Sequence, residues 1–143
     1  MVPHRIKYEI RSSPVFRSIL FPSLVAIGLL SCAKKLDVNG MWQNHDGNRI
    51  TFMGADSAVL GQQGLEGGER GTYTVLKDTI RVVTNEGDSQ GKMVYMFVMR
   101  EGRLYISRVT NERPGAFQSM DGEQFAKQFG KTPEQLAFSR KSK

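Results

Sequence analysis

The chain has 143 residues, a formal net charge of +6 and one cysteine, which excludes an intrachain disulfide. Its length suits one small domain with a short extension. Residues 32–143 carry only +3, since 16 Lys and Arg face 13 Asp and Glu there, so the high overall charge does not indicate a nucleic-acid-binding surface.

A basic segment opens the chain, and an almost wholly apolar run over residues 19–30 follows it, ending at the small residue Ser31. This order is typical of a secretory signal. A membrane-spanning helix needs about 20 apolar residues, so the run is too short to remain in the membrane as one. We therefore expect residues 1–31 to be a signal peptide that is removed.

The signal ends in Leu29-Leu30-Ser31-Cys32, which resembles the lipobox of bacterial lipoproteins. The resemblance implies a diacylglyceryl group on the Cys32 thiol, cleavage between Ser31 and Cys32, and a mature protein that begins at the lipidated cysteine. One acyl chain gives a membrane association constant of only about 10⁴ M⁻¹, whereas several, palmitate among them, make a lasting membrane anchor. The alternative is an ordinary buried cysteine in an N-terminal helix.

Ala33, and not an aspartate, follows the cysteine. By resemblance to lipoprotein sorting rules, this residue favours the outer membrane over the inner one, so the expected location is the bacterial cell envelope, at the periplasmic face of the outer membrane. Residues 32–38 then form a lipid-anchored tether. Lys34 and Lys35 lie close enough to the membrane to touch anionic headgroups, or they belong to a plain soluble linker.

Residues 39–143 form the expected domain, in which short alternating runs separated by turn residues predict β-strands. Asp46-Gly47 between two such runs is a strong hairpin signal. The predicted strands cover residues 40–43, 49–53, 57–61, 71–76, 79–84, 92–99, 103–108 and 135–140.

The segment over residues 111–132 interrupts this rhythm. Phe125 and Phe129 are four residues apart and Gly130 follows them, which predicts a short helix with a glycine at its end. Eight antiparallel strands closed on themselves leave no exposed edge and enclose one small ligand. The sequence therefore predicts an all-β domain, an eight-stranded antiparallel up-and-down barrel with a short helix before the last strand.

Gly40-Met41-Trp42 at the first strand resembles the Gly-x-Trp signature of lipocalins and the related calycin-type barrels. The resemblance implies that Trp42 plugs one end of the barrel and that a basic residue near the last strand, here Arg140, packs across its ring. A guanidinium on an indole gains on the order of 1 kcal/mol of cation–π energy. Trp42 as a simple core aromatic is the alternative.

The same resemblance implies a cavity for a small apolar or lipid-like ligand. The expected lining residues are Phe52, Tyr73, Ile80, Val82 and Tyr95. The strand over residues 93–99 is apolar on both faces, which suits core packing or a ligand-lining stripe rich in methionine.

Nothing in the sequence indicates an enzyme, a metal or a cofactor. His45 is the only histidine after the signal and lies beside Asp46 in a predicted turn, with no second histidine and no free cysteine to complete a metal site. Two functions stay open: a membrane-tethered binding module for a small apolar ligand, and a filled barrel that docks an envelope protein or inhibits a hydrolase.

Overall fold

The computed structural model describes residues 34–85 and 90–142, so the predicted signal peptide, Ser31 and Cys32 lie outside the described residues. Two helices accompany the strands, α1 over Gly122–Gln128 and α2 over Pro133–Leu136. The strands, in chain order, are β1 (Gly40–Gln43), β2 (Arg49–Met53), β3 (Ser57–Gly61), β4 (Glu69–Leu76), β5 (Thr79–Asn85), β6 (Lys92–Arg100), β7 (Arg103–Arg113), β8 (Ala116–Asp121) and β9 (Phe138–Arg140).

The strands close into a barrel of eight, and the predicted fold class is confirmed. β1 to β7 pair in sequence order, each antiparallel to the next, and β9 pairs with both β1 and β7 to complete the ring. β8 stands outside the ring, where it pairs with the far half of β7. A sheet closed in this way has no free edge around the ring.

Tight turns make the consecutive pairing possible. The predicted hairpin at Asp46-Gly47 is present, and Gly47 has φ of +82°, a conformation that favours glycine. The β6–β7 turn places Glu101 and Gly102 at φ of +50° and +73°, as a two-residue hairpin turn requires. The pairing of β6 with β7 shifts register between Met96 and Phe97, and such a bulge bends the strand pair.

One side-chain face of each strand lies in the barrel and forms a continuous core. Burial alternates along β2 and β5, where Ile50, Phe52, Ile80 and Val82 are almost fully buried. The other core members are Val38, Trp42, Ala58, Tyr73, Phe97, Leu104 and Phe138. Within the described part of the chain, these core residues all lie between positions 38 and 138.

Two parts of the C-terminal segment differ from the sequence prediction. The strand predicted over residues 135–140 begins only at Phe138, because Thr132 caps a helical turn with Pro133 at its first position and Gln135 reaching back to the cap. The stretch before α1 contains β8, which the sequence did not predict: Gly115, at φ of +78°, turns the chain so that Arg113 pairs with Ala116. The predicted short helix is confirmed as α1, and Gly130 follows it at φ of +66°.

Alternating strand directions give the barrel two distinct ends. At one end, which we call the tether end, lie residues 34–39 and the turns over residues 54–56, 77–78 and 101–102. At the other, which we call the mouth, lie the connections over residues 44–48 and 62–68. No helix within the described ranges is both long and apolar enough to cross a membrane.

Candidate ligand-binding site

The tether end is filled by Trp42 and the chain that precedes it. The indole is 2% exposed, and its N–H donates a hydrogen bond of 2.8 Å to the carbonyl of Val38, whose own side chain is buried in the core. Because the indole N–H has a partner, the whole ring lies in the core without an unpaired polar atom.

Arg140 on β9 lies directly opposite Trp42 on the neighbouring strand β1, and the structure brings the two side chains together. The guanidinium carbon is 4.9 Å from the centroid of the indole ring, within the range of a cation–π contact. The same guanidinium donates a hydrogen bond to the carbonyl of Asp37. Arg140 thus holds the last strand, the indole and the end of the tether against one another.

Tyr73 packs on the same end of the core. Its ring meets Phe52 edge to face at a centroid distance of 4.9 Å, and its hydroxyl donates to the carbonyl of Gly54 at 2.7 Å. Burial raises the pKa of this phenol above its ordinary value of 10.0, and the carboxylates of Asp37 and Asp56 raise it further. The hydroxyl is therefore a neutral donor at physiological pH.

The five residues expected to line a ligand cavity fall into two groups. Phe52, Tyr73, Ile80 and Val82 are packed in the core, with no more than 5% of any of them exposed. Tyr95 lines a cleft of about 410 Å³ that opens at the mouth. The barrel is therefore filled with side chains toward the tether end, and the open space lies toward the mouth.

The mouth cleft has an aromatic floor and mixed walls. Its apolar lining consists of Ile50, Leu60, Leu65, Tyr95, Phe97 and Phe138, and its polar lining includes Asn48, Arg49, Gln62, Glu66 and Glu69. A volume of about 410 Å³ lies at the low end of the range of about 300–1,000 Å³ that is usual for small-molecule sites. The space suits one ring system or a single short chain.

Glu69 is one of the cleft residues that the sequence analysis missed. The predicted fourth strand begins at residue 71, whereas β4 begins at Glu69, which puts its side chain on the same face as Gly71, Tyr73 and Val75. One carboxylate oxygen of Glu69 is buried and has no hydrogen-bond partner in the part of the chain that the structure describes. Extending the strand's alternation back by two residues would have revealed an acid facing the barrel interior.

Two more side-chain oxygens, on neighbouring strands, are buried in the same way as that of Glu69. Within residues 34–85 and 90–142, the Thr84 hydroxyl and the Asn111 carbonyl oxygen are buried without a hydrogen-bond partner. Thr84 pairs across the sheet with Gly71 and Met93, and Met93 pairs with Asn111, so these residues share the inward face of β4 to β7 near the mouth. Buried acceptors without donors are uncommon in folded proteins, which makes this end chemically distinct from the filled tether end.

The remaining candidate of the sequence analysis lies away from the cleft. His45 is exposed in the β1–β2 turn beside Asp46, and the carboxylate of Asp46 forms an ion pair with Lys131. Within residues 34–85 and 90–142, no group of His, Cys, Asp and Glu is placed to hold a metal ion.

Comparison with known proteins identifies no relative of this chain. No family model, no curated protein and no solved structure matches the chain.

Proposed function

We propose that this protein is a lipid-anchored, non-enzymatic binding lipoprotein of the bacterial envelope, which holds a small apolar or lipid-like molecule in the mouth of a lipocalin-like barrel. The observation that carries the proposal is the mouth cleft, which joins an aromatic floor to a few polar groups. This combination is typical of small-molecule sites. The sequence Leu29-Leu30-Ser31-Cys32 supports the anchor, and the contact between Trp42 and Arg140 supports the likeness to lipocalins.

Binding is tested with N-phenyl-1-naphthylamine, an apolar probe whose fluorescence rises in a dry site. The core residues of the described chain lie within residues 38–138, and the domain over residues 33–143, which contains all of them, is used without its anchor. We expect saturable binding that weakens severalfold in Leu65→Asp, because a charge then replaces part of the cleft wall. Leu76→Asp is the matched control, since Leu76 is 65% exposed against 67% for Leu65 but lies at the tether end.

If the probe does not bind at all, or if both aspartate variants weaken its binding equally, the binding proposal is wrong.

The anchor is tested separately by feeding cells a clickable palmitate analogue. We expect label in the wild-type chain at the outer membrane and none in Cys32→Ser. Label that persists in Cys32→Ser would rule out the anchor without touching the binding proposal.

A specific feature favours a second function, docking of an envelope protein. Within the described residues β8 pairs only with β7, so its outer edge is free, and Phe117 on this strand is 70% exposed. Such an edge accepts an extended segment of another chain. A photo-crosslinking residue at Phe117 that captures one protein in the envelope, while the same residue at Leu76 captures none, would support this function.

A further inference from the structure

We infer that the mouth cleft selects ligands that carry a primary amine on an aromatic body, and that Glu69 receives the ammonium group. The inference rests on the proposed binding function and names its ligand class. It starts from Glu69, whose carboxylate lines the cleft and has one buried oxygen with no hydrogen-bond partner among the described residues.

A carboxylate oxygen only accepts hydrogen bonds, so the missing partner must be a donor. Leaving a buried charged acceptor unpaired is unfavourable, whereas hydrogen bonds to charged groups are the stronger ones. An ammonium group supplies both the donor and the opposite charge. A hydroxyl supplies only the donor, and a ligand carboxylate supplies neither.

The charge of the cleft points to the same ligand class. Among the described residues, Glu66 and Glu69 line it together with one cation, Arg49, which gives this lining one net negative charge. Arg49 occupies the other face of its strand, since it is exposed whereas Ile50 beside it is buried. The side chain next to Glu69 on the inward face is Leu60, which is directly opposite it across the sheet. Of these two neighbours, Leu60 carries no charge and Arg49 lies on the other face, so neither competes with a ligand for the Glu69 carboxylate.

The apolar part of the cleft indicates an aromatic body. Tyr95, Phe97 and Phe138 contribute three rings to its lining, and Phe97 meets Phe138 edge to face at 6.0 Å. A flat ring gains both buried area and favourable ring geometry against such a floor. The volume of about 410 Å³ admits a one- or two-ring molecule more readily than a lipid with several acyl chains.

The test compares three probes that share an indole ring and differ only in the end group: tryptamine, indole-3-ethanol and indole-3-acetate. Each is titrated calorimetrically into the domain over residues 33–143 at pH 7. We expect tryptamine to bind about tenfold or more tightly than indole-3-ethanol, because it adds a charge-assisted hydrogen bond. Indole-3-acetate should bind most weakly.

Two charge-removing variants locate the effect within the cleft. Glu69→Gln should weaken tryptamine about tenfold and leave indole-3-ethanol nearly unchanged, since the amide keeps the shape of the side chain and loses the charge. Glu66→Gln is the matched control: it removes the same charge from the same cleft, but Glu66 is exposed and has no buried unpaired oxygen. It should weaken tryptamine only about two- to threefold, as expected for the loss of an exposed charge in the cleft, and leave indole-3-ethanol nearly unchanged.

The outcomes separate this inference from the function on which it rests. If the alcohol or the acid binds as tightly as the amine, or if Glu66→Gln weakens tryptamine as much as Glu69→Gln does, the inference is wrong and the binding function stands. If N-phenyl-1-naphthylamine binds and no indole does, the ligand class is wrong in the same way. If no probe of either kind binds, both the inference and the binding function are overturned.

Discussion

Trp42 shows how one side chain organises the tether end of the barrel. Its ring is buried, its N–H bonds to Val38, and Arg140 covers its face while bonding to the Asp37 carbonyl. The first strand, the last strand and the end of the tether therefore meet at Trp42. A barrel needs such a junction where its first and last strands close, because no hairpin turn holds those two strands together.

Arg140→Met should lower the free energy of unfolding by about 1–2 kcal/mol, from a cation–π contact at a partly exposed site and one hydrogen bond. Arg140→Lys should lose about half as much, since an ammonium keeps the charge but not the planar stacking. Lys141→Met, the neighbouring exposed cation, is the control for charge alone. Urea unfolding followed by Trp42 fluorescence measures the differences, and equal losses in Arg140→Met and Lys141→Met would contradict the stacking role.

The raised pKa of Tyr73 predicts how the free energy of unfolding responds to alkaline pH. Its folded-state pKa lies above 10.0 because the phenol is buried and faces Asp37 and Asp56, so the folded state favours the neutral form. This contribution is fully present below pH 10 and is lost as the pH rises through the folded-state pKa. The free energy of unfolding should therefore fall above about pH 10.

Tyr73→Phe isolates that contribution. At pH 8 the variant should be less stable by about 1 kcal/mol, the usual value of one hydrogen bond, here to the Gly54 carbonyl. The gap between wild type and variant should shrink as the pH rises above 10 in urea titrations. A gap that stays constant as the pH rises would show that the phenol does not titrate as its surroundings imply.

At the scale of elements, the contact between α1 and β7 depends on a glycine. Gly122 is the first residue of α1, and a Cβ built on it would lie 1.9 Å from the carbonyl oxygen of Ile106. Helix and strand thus meet backbone to backbone beside the bulge of β7.

Gly122→Ala should therefore destabilise the domain by about 1–3 kcal/mol, because the added methyl group forces the helix away from the strand. Gly61→Ala is the matched control, since a Cβ there would lie 3.7 Å from its nearest atom and Gly61 has an ordinary φ. Circular dichroism during urea unfolding gives both values. Equal stability of the two variants would mean that α1 shifts without cost.

The same segment shows where sequence reasoning reached its limit. Alternating patterns and turn residues located all eight strands of the ring, because local hairpins such as that at Gly47 set their pairing. β8 escaped detection because only one of its residues, Met120, is even partly buried, so it has no apolar alternation. Of the mouth cleft only Tyr95 was predicted, since the lining comes from several strands and a loop, and no local pattern records how far apart those strands stand.

At the scale of the whole molecule, the proposed anchor at Cys32 predicts which end of the barrel faces the membrane. Val38 is buried in the core, and only five residues separate it from Cys32, a span of at most about 22 Å. The proposed anchor therefore holds the tether end close to the lipid. The mouth lies at the opposite ends of the same strands, on the order of 20 Å further out, given the rise and tilt of barrel strands.

This orientation predicts unequal access to two leucines of nearly equal exposure, Leu65 at the mouth and Leu76 at the tether end. Cys32 is the only native cysteine, so lipidation leaves an introduced cysteine as the one free thiol. In the membrane-bound full chain, Leu65→Cys should react with an impermeant maleimide as fast as in the free domain over residues 33–143. Leu76→Cys should react more slowly than in the free domain, because headgroups shield it. The reverse order would turn the mouth toward the lipid, and the ligand would then enter from the membrane and not from the surrounding solution.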